Sequence, residues 1–330
     1  MSSGKSPTNF KSVIIRQRLE EIRLRILTGN HIDFEADRQK LKQMCDQAHE
    51  IGDTDLELYA MNVFGVLHAN TGKISEAYHI YEEGARLALE LDNRERWVTF
   101  QLNQAVILYN QGQLEAGRAL FEGLIPTLQT PPATTENMTR LYVSYGNLAL
   151  LCLETHDYDG AERYGRQLLD HWDSPEVALI QQERRATMVG TVRQVLAAVY
   201  CARGNYADSR AQAKLLLAAS GKESRTSQTI SAYLAFARLA IFDPSDEVNP
   251  ELHWQQIDSI IAPRLAVRDV GLWGVGSHDL MLEARMYHYR GEMQWARRCA
   301  EKAVEILAAL DDAERRQTAE SFLAELPSRQ

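Results

Sequence analysis

Three short stretches of the chain carry residue types that hold phosphate: SSGKS at 2–6, TGKIS at 71–75 and SGKES at 220–224. A phosphate-cradling loop needs GxxxxGK[ST] leaving a strand, because successive backbone amides must converge on the anion within reach of the lysine. Only SSGKS ends in Gly-Lys-Ser, and no glycine stands at the required distance before it. TGKIS has no hydroxyl residue directly after Lys73. Metal chemistry fares no better. His68 with His79, and His278 with His288, show neither HExxH nor i,i+4 spacing, and no cysteine cluster accompanies them. His68 sits where an aromatic would pack and reads as a satisfied core histidine. No G-x-S-x-G elbow is present. The glycines of GLWGVGSHD (271–279) fit a hinge around Trp273 better than a cofactor loop. No catalytic residue, metal or cofactor is therefore expected, and the chain is read as non-enzymatic. One enzymatic alternative is a hydrolase with its site in the divergent 224–276 region, dependent on His278 or Asp279.

Composition narrows the remaining classes. The chain has 330 residues, 45% of them hydrophobic and 25% charged, enough apolar material for a continuous core. Its net charge of −9 argues against broad attraction to nucleic acid or anionic membrane. Arg16, Arg18, Arg23 and Arg25 interleave with Glu20 and Glu21, which reads as a solvated helix face rather than a DNA-reading helix. No run reaches the length of a membrane span, and the first residues lack the apolar stretch of a signal peptide. Cys45, Cys152, Cys201 and Cys299 are far apart and read as reduced, buried thiols of a cytoplasmic protein.

The strongest signal is internal repetition. GKISEAYHIYEEGA (72–85) is matched by GQLEAGRALFEGLI (112–125), HDYDGAERYGRQLL (156–169), GNYADSRAQAKLLL (204–217) and GEMQWARRCAEKAV (291–304). Two residues after each origin comes a large apolar side chain: Ile74, Leu114, Tyr158, Tyr206 or Met293. Five after it stands a small one: Ala77, Gly117, Ala161, Ser209 or Ala296. Seven before it stands another: Gly65, Ala105, Ala149, Ala197 or Ala284. A small residue in each of two consecutive helices lets antiparallel backbones approach closely. Glycine at the turn accepts the left-handed backbone that ends a helix, so His156 should distort its turn.

The spacing Met61-x2-Phe64-Gly65-x2-His68, then Ala77-x3-Tyr81, resembles the tetratricopeptide repeat signature. Tyr145, Leu148, Ala149, Cys152 and Ala161 repeat it, as do Leu196, Ala197, Tyr200 and Ser209. The closing proline is missing, and origins lie 40, 44 and 48 residues apart. The chain thus looks like the long-helix variety found in bacterial Rap-type regulators and in the sensor regions of large transcription activators. That resemblance implies an all-α, right-handed superhelical solenoid of antiparallel helix pairs.

The expected organisation is a disordered 1–8, one repeat domain over 9–326 with about seven hairpins, and a short tail at 327–330. A degenerate first hairpin covers 9–28 and 33–51, and regular units follow at 54–91, 93–129, 133–171 and 175–219. Residues 224–276 are divergent, a last unit spans 277–310, and 311–326 reads as an amphipathic capping helix.

Such arrays imply binding of a protein or peptide in the concave groove lined by the first helix of each pair. Asn62, Asn103, Asn147 and Gln194 recur two or three residues before the small residue of that helix. A carboxamide offers both a donor and an acceptor to an extended backbone. Tyr59, Met281, Arg285 and His288 fall on the same expected face. The function expected is a scaffold or adaptor, or else a sensor whose superhelix tightens on a signalling peptide. A homo-oligomer stays open.

Overall fold

The computed structural model describes residues 7–27, 33–130, 134–170, 180, 182–219, 235, 239, 280–281, 284–285, 287–288, 291–309 and 313–327. Among these the regular elements are twelve helices, with no strand. They are α1 (Pro7–Leu27), α2 (Phe34–Glu50), α3 (Thr54–Asn70), α4 (Ile74–Glu90), α5 (Arg94–Asn110) and α6 (Leu114–Gln129). Then come α7 (Thr135–Glu154), α8 (Tyr158–Asp170), α9 (Gln182–Ala202), α10 (Tyr206–Ala219), α11 (Met293–Ala309) and α12 (Ala313–Glu325). The helix limits follow the repeat units expected from sequence, and α12 occupies the place of the capping helix. The chain is all-α and built of TPR-like antiparallel helix pairs. Two compact units divide at the turn between Gln113 and Leu114. The divergent 242–276 stretch, the loop GLWGVGSHD, and the SSGKS and SGKES motifs lie outside the described residues, as do residues 1–6 of the expected disordered segment.

Local chemistry sets the helix ends. Asp33, Asp53, Asn93 and Thr134 each stand just before a helix, and their side chains accept from the amide three residues on, at 3.0–3.1 Å. Each cap satisfies one of the amides that a helix start leaves unpaired, worth about 1 kcal/mol. The turns that close the helices run left-handed, at Gly52 (φ 68°), Gly72 (79°), Gly112 (75°), Gly204 (74°) and Gly291 (78°). His156 departs from the expectation of a distorted turn. It adopts φ 59°, the same left-handed conformation, and so accepts the backbone cost glycine avoids; Asp92 does likewise at 52°.

In the first unit α3 packs against α1, α2, α4 and α5. It is accordingly buried on all sides, from Leu56 and Leu58 through Tyr59, Val63 and Gly65 to Leu67 and His68. In contrast α4 buries one stripe, Ile74, Ala77, Tyr81, Gly84, Ala85 and Ala88, at helical spacing. The small residue of the repeat has a visible purpose here. A Cβ on Gly65 would lie 2.2 Å from Tyr81 Cε1, so the missing side chain makes room for the ring. Gly84 plays the same part for Phe100, with a hypothetical Cβ 2.4 Å from Cζ. Tyr81 is 2% exposed and Phe100 fully buried. Burying each such ring is worth about 2–3 kcal/mol.

The second unit repeats the plan. α7 packs against α6, α8 and α9, and α9 against α8 and α10. Ala197, Cys201 and Ala213 form a core with helical Ala235 and Leu239. Ala284, Tyr287, Ala296, Cys299 and Ala300 form another with Leu326, against which Phe322 of α12 packs. Arg297 donates to the carbonyls of Leu326 (3.1 Å) and Pro327 (2.8 Å), tying the end of α12 to α11.

Candidate functional site

The TGKIS stretch is resolved as a helix–helix turn. Thr71 caps α3, Gly72 turns left-handed, and Lys73 is exposed at the start of α4 with its Nζ 4.6 Å from the centre of the Phe34 ring. His68 is the core histidine expected: it is buried, its Nδ1 donates to Phe64 O at 2.9 Å, and its ring meets Phe34 and Phe64 edge-on. Among the described residues no group of three or more His, Cys, Asp or Glu is placed to hold a metal ion. No described helix is long and apolar enough to cross a membrane. His278 and Asp279, on which a hydrolase reading rests, lie outside the described residues. All four cysteines are free; three are buried, and Cys45 is half-buried.

A polar strip crosses α1, α3 and α5 in the first unit. Asp55 of α3 receives Arg16 Nη2 from α1 at 2.7 Å, and Arg96 Nε and Nη2 from α5 at 2.7 and 2.9 Å. Arg96, then Arg16, hold the Asp55 carboxyl well below the usual carboxylate range. One helical turn on, Tyr59 lies between the same two guanidinium groups, 5.5 and 5.0 Å from its ring centre. Its hydroxyl donates to Glu20 of α1, which also binds Arg23. Burial first, then the Glu20 bond, push the Tyr59 hydroxyl up to about 12. Asn62 follows on α3, 8% exposed, and its Oδ1 accepts from Asn103 Nδ2 of α5 at 2.6 Å. Asn62 Nδ2 and Asn103 Oδ1 have no hydrogen bond among the described residues.

Three of the eight candidate residues, Tyr59, Asn62 and Asn103, thus come together on one strip. The other five stand in the second unit and differ from them. Asn147 is half-buried and spends its amide on Val143 O of its own helix at 2.9 Å. Gln194 is half-buried in α9. Met281 packs on the Tyr287 core, Arg285 is exposed, and exposed His288 sets its ring edge-on to Phe322 of α12 at 5.7 Å. The four carboxamides therefore have unlike surroundings.

Sequence reasoning missed Asp55 and Arg96, and gave Arg16 and Glu20 to a solvated face. A signal was present. Arg16 and Asp55 are 39 residues apart, as are Glu20 and Tyr59; Asp55 and Arg96 are 41 apart, as are Asn62 and Asn103. Each separation is about one repeat, so complementary side chains at that interval meet across neighbouring units. The second unit obeys the same rule: Tyr164 donates to Glu122 across 42 positions at 2.9 Å, and Arg203 binds Glu162 across 41 at 2.5 Å.

Helix pairs joined by left-handed turns, with small residues seating the aromatic of the neighbouring helix, define a TPR-like helical-repeat protein. A solved structure similar to this chain is a tetratricopeptide repeat protein from Parabacteroides merdae ATCC 43184. It shows 14% identity over 94% of this chain and 97% of that one, with a TM-score of 0.49. Another is BtubC (BKLC) from P. vanneervenii, at 17% identity over 67% of this chain and 96% of that one, with a TM-score of 0.44. No family model matches the chain, and no curated protein matches it.

Proposed function

We propose that the chain is a non-enzymatic scaffold that binds an extended segment of a protein or peptide along the face shared by α1, α3 and α5. The observation that carries this reading is the Asn62–Asn103 link. It orients two amides of adjacent repeats and leaves one donor and one acceptor for a ligand backbone. Tyr59, held by two arginines and Glu20, supplies a rigid aromatic beside them, so little side-chain entropy is lost on binding. The four free thiols support a cytoplasmic setting.

The test begins with affinity capture on the immobilised chain from native cell extract and identification of the bound segment by mass spectrometry. Binding of that segment, as a synthetic peptide, is then measured by calorimetry. Asn103→Ala should weaken it about tenfold, the worth of one or two hydrogen bonds. Asn147→Ala should weaken it less, because that amide is already bonded within α7. Neither should unfold the chain. Unchanged affinity of Asn103→Ala for the captured segment removes this face as the site.

A further inference from the structure

The helix α1 is apolar on two sides. One stripe, Ile15, Leu19, Ile22 and Ile26, is at most 7% exposed and forms a core with α2 and α3. On the far side Phe10, Val13 and Leu24 are 68%, 56% and 52% exposed. These are three of the six large hydrophobics that stand exposed among the described residues, gathered on one helix face. Their spacing is ordered. Phe10, Gln17 and Leu24 recur every seven residues, while Val13 and Glu20 fall three after Phe10 and Gln17. This is the a/d pattern of a coiled-coil seam, with polar Gln17 and Glu20 at its middle.

We infer that this face pairs with the same face of a second copy of the chain, the two α1 helices running antiparallel. The occupant is indicated by the symmetry of the seam itself. In an antiparallel pair each a position meets a d position of the other helix, so Val13 meets Leu24 of the second copy. Gln17 then meets Glu20 of the second copy, twice over, and its amide can donate to that carboxylate. Parallel pairing would instead set Glu20 against Glu20, a like-charge contact at the centre of the seam. A seam that places apolar with apolar and donor with acceptor when turned on itself is self-complementary, as a two-fold interface requires. Phe10 extends the apolar contact at each end.

The size of the contact sets its strength. A 21-residue helix is about 31 Å long, and one such pair stands at the low end of specific interfaces, under about 1,200 Å². The dimer is therefore weak, dissociating at about 10–100 μM. The inference is independent of the peptide-binding reading, since Phe10, Val13 and Leu24 take no part in the polar strip.

Sedimentation equilibrium of the full chain across that concentration range is the test. The average mass should rise from monomer toward dimer. Val13→Glu with Leu24→Glu should raise the dissociation constant at least tenfold, with the circular dichroism of the folded chain unchanged. A wild-type chain that stays monomeric throughout overturns the inference and assigns the face to some other chain. A dimer equally tight in the double variant also overturns it. Orientation is read separately: Val13→Cys mixed with Leu24→Cys should give a disulfide-linked dimer under mild oxidation, and Val13→Cys alone should not. The reverse result overturns the antiparallel pairing.

Discussion

Replacing Gly65 with alanine tests the packing rule on which the repeats rest. In an isolated helix the change would stabilise by about 1 kcal/mol, because glycine pays extra backbone entropy. Here the new methyl group would stand 2.2 Å from Tyr81 Cε1 and 2.7 Å from Cδ1 and Cζ. Carbon contacts relax only near 3.5 Å, so the ring or the helix must move by more than about 1 Å. Tyr81 is 2% exposed, buried on the inward stripe of α4. Overpacking of this kind costs up to about 3 kcal/mol, which leaves a net loss of about 2 kcal/mol. Urea unfolding followed by circular dichroism measures it directly. Gly123 of α6 is the control, since a Cβ there meets nothing within 4 Å; Gly123→Ala should stabilise by about 0.5–1 kcal/mol. In a Tyr81→Leu background Gly65→Ala should cost measurably less than in the parent chain. If Gly65→Ala proves neutral or stabilising in the parent chain, small residues do not set the approach of α3 and α4.

Two further outcomes follow from the turns and the polar strip. His156→Gly should stabilise by about 0.5–1 kcal/mol, since glycine carries no penalty at φ 59°; a thermal midpoint unchanged or lowered would show that the ring's contact with Tyr158 outweighs the strain. The Asp55 carboxyl is held below its unfolded value, so its contribution to stability is present above about pH 4 and is lost as pH falls toward the folded value. Asp55→Asn should cost about 1 kcal/mol at neutral pH, a modest figure because the carboxylate is 44% exposed. The gap between parent and variant should close below about pH 4; a gap that stays constant down to pH 2 would mean the two arginines do not bind Asp55 preferentially in its charged form.

The repeat grammar was legible in the chain because it is local. A glycine at a turn, a small residue seven before it and a large one two after it each answer a constraint within one hairpin. The periodicity of α4 appears in the sequence for the same reason. His156 shows the limit of such reading. Its type argued for a distorted turn, yet the two helices it joins pack well enough to hold it in the left-handed conformation.

The carboxamides show a second limit. Asn62, Asn103, Asn147 and Gln194 occupy near-equivalent positions, but position along a helix does not say where an amide spends its hydrogen bonds. Asn62 and Asn103 find each other because neighbouring repeats bring them within 2.6 Å, whereas Asn147 bonds to Val143 of its own helix. Likewise Arg16, Asp55 and Arg96 look like unrelated surface charges until α1, α3 and α5 are set side by side.

By itself, then, the sequence determined the helical hairpins, their turns and the glycines that seat Tyr81 and Phe100, since these depend on residues close along the chain. Only the tertiary structure decided which polar groups meet across about one repeat, and which face of α1 remains apolar and exposed. Those depend on how helices stack, a sum of many weak contacts that no single stretch of residues encodes.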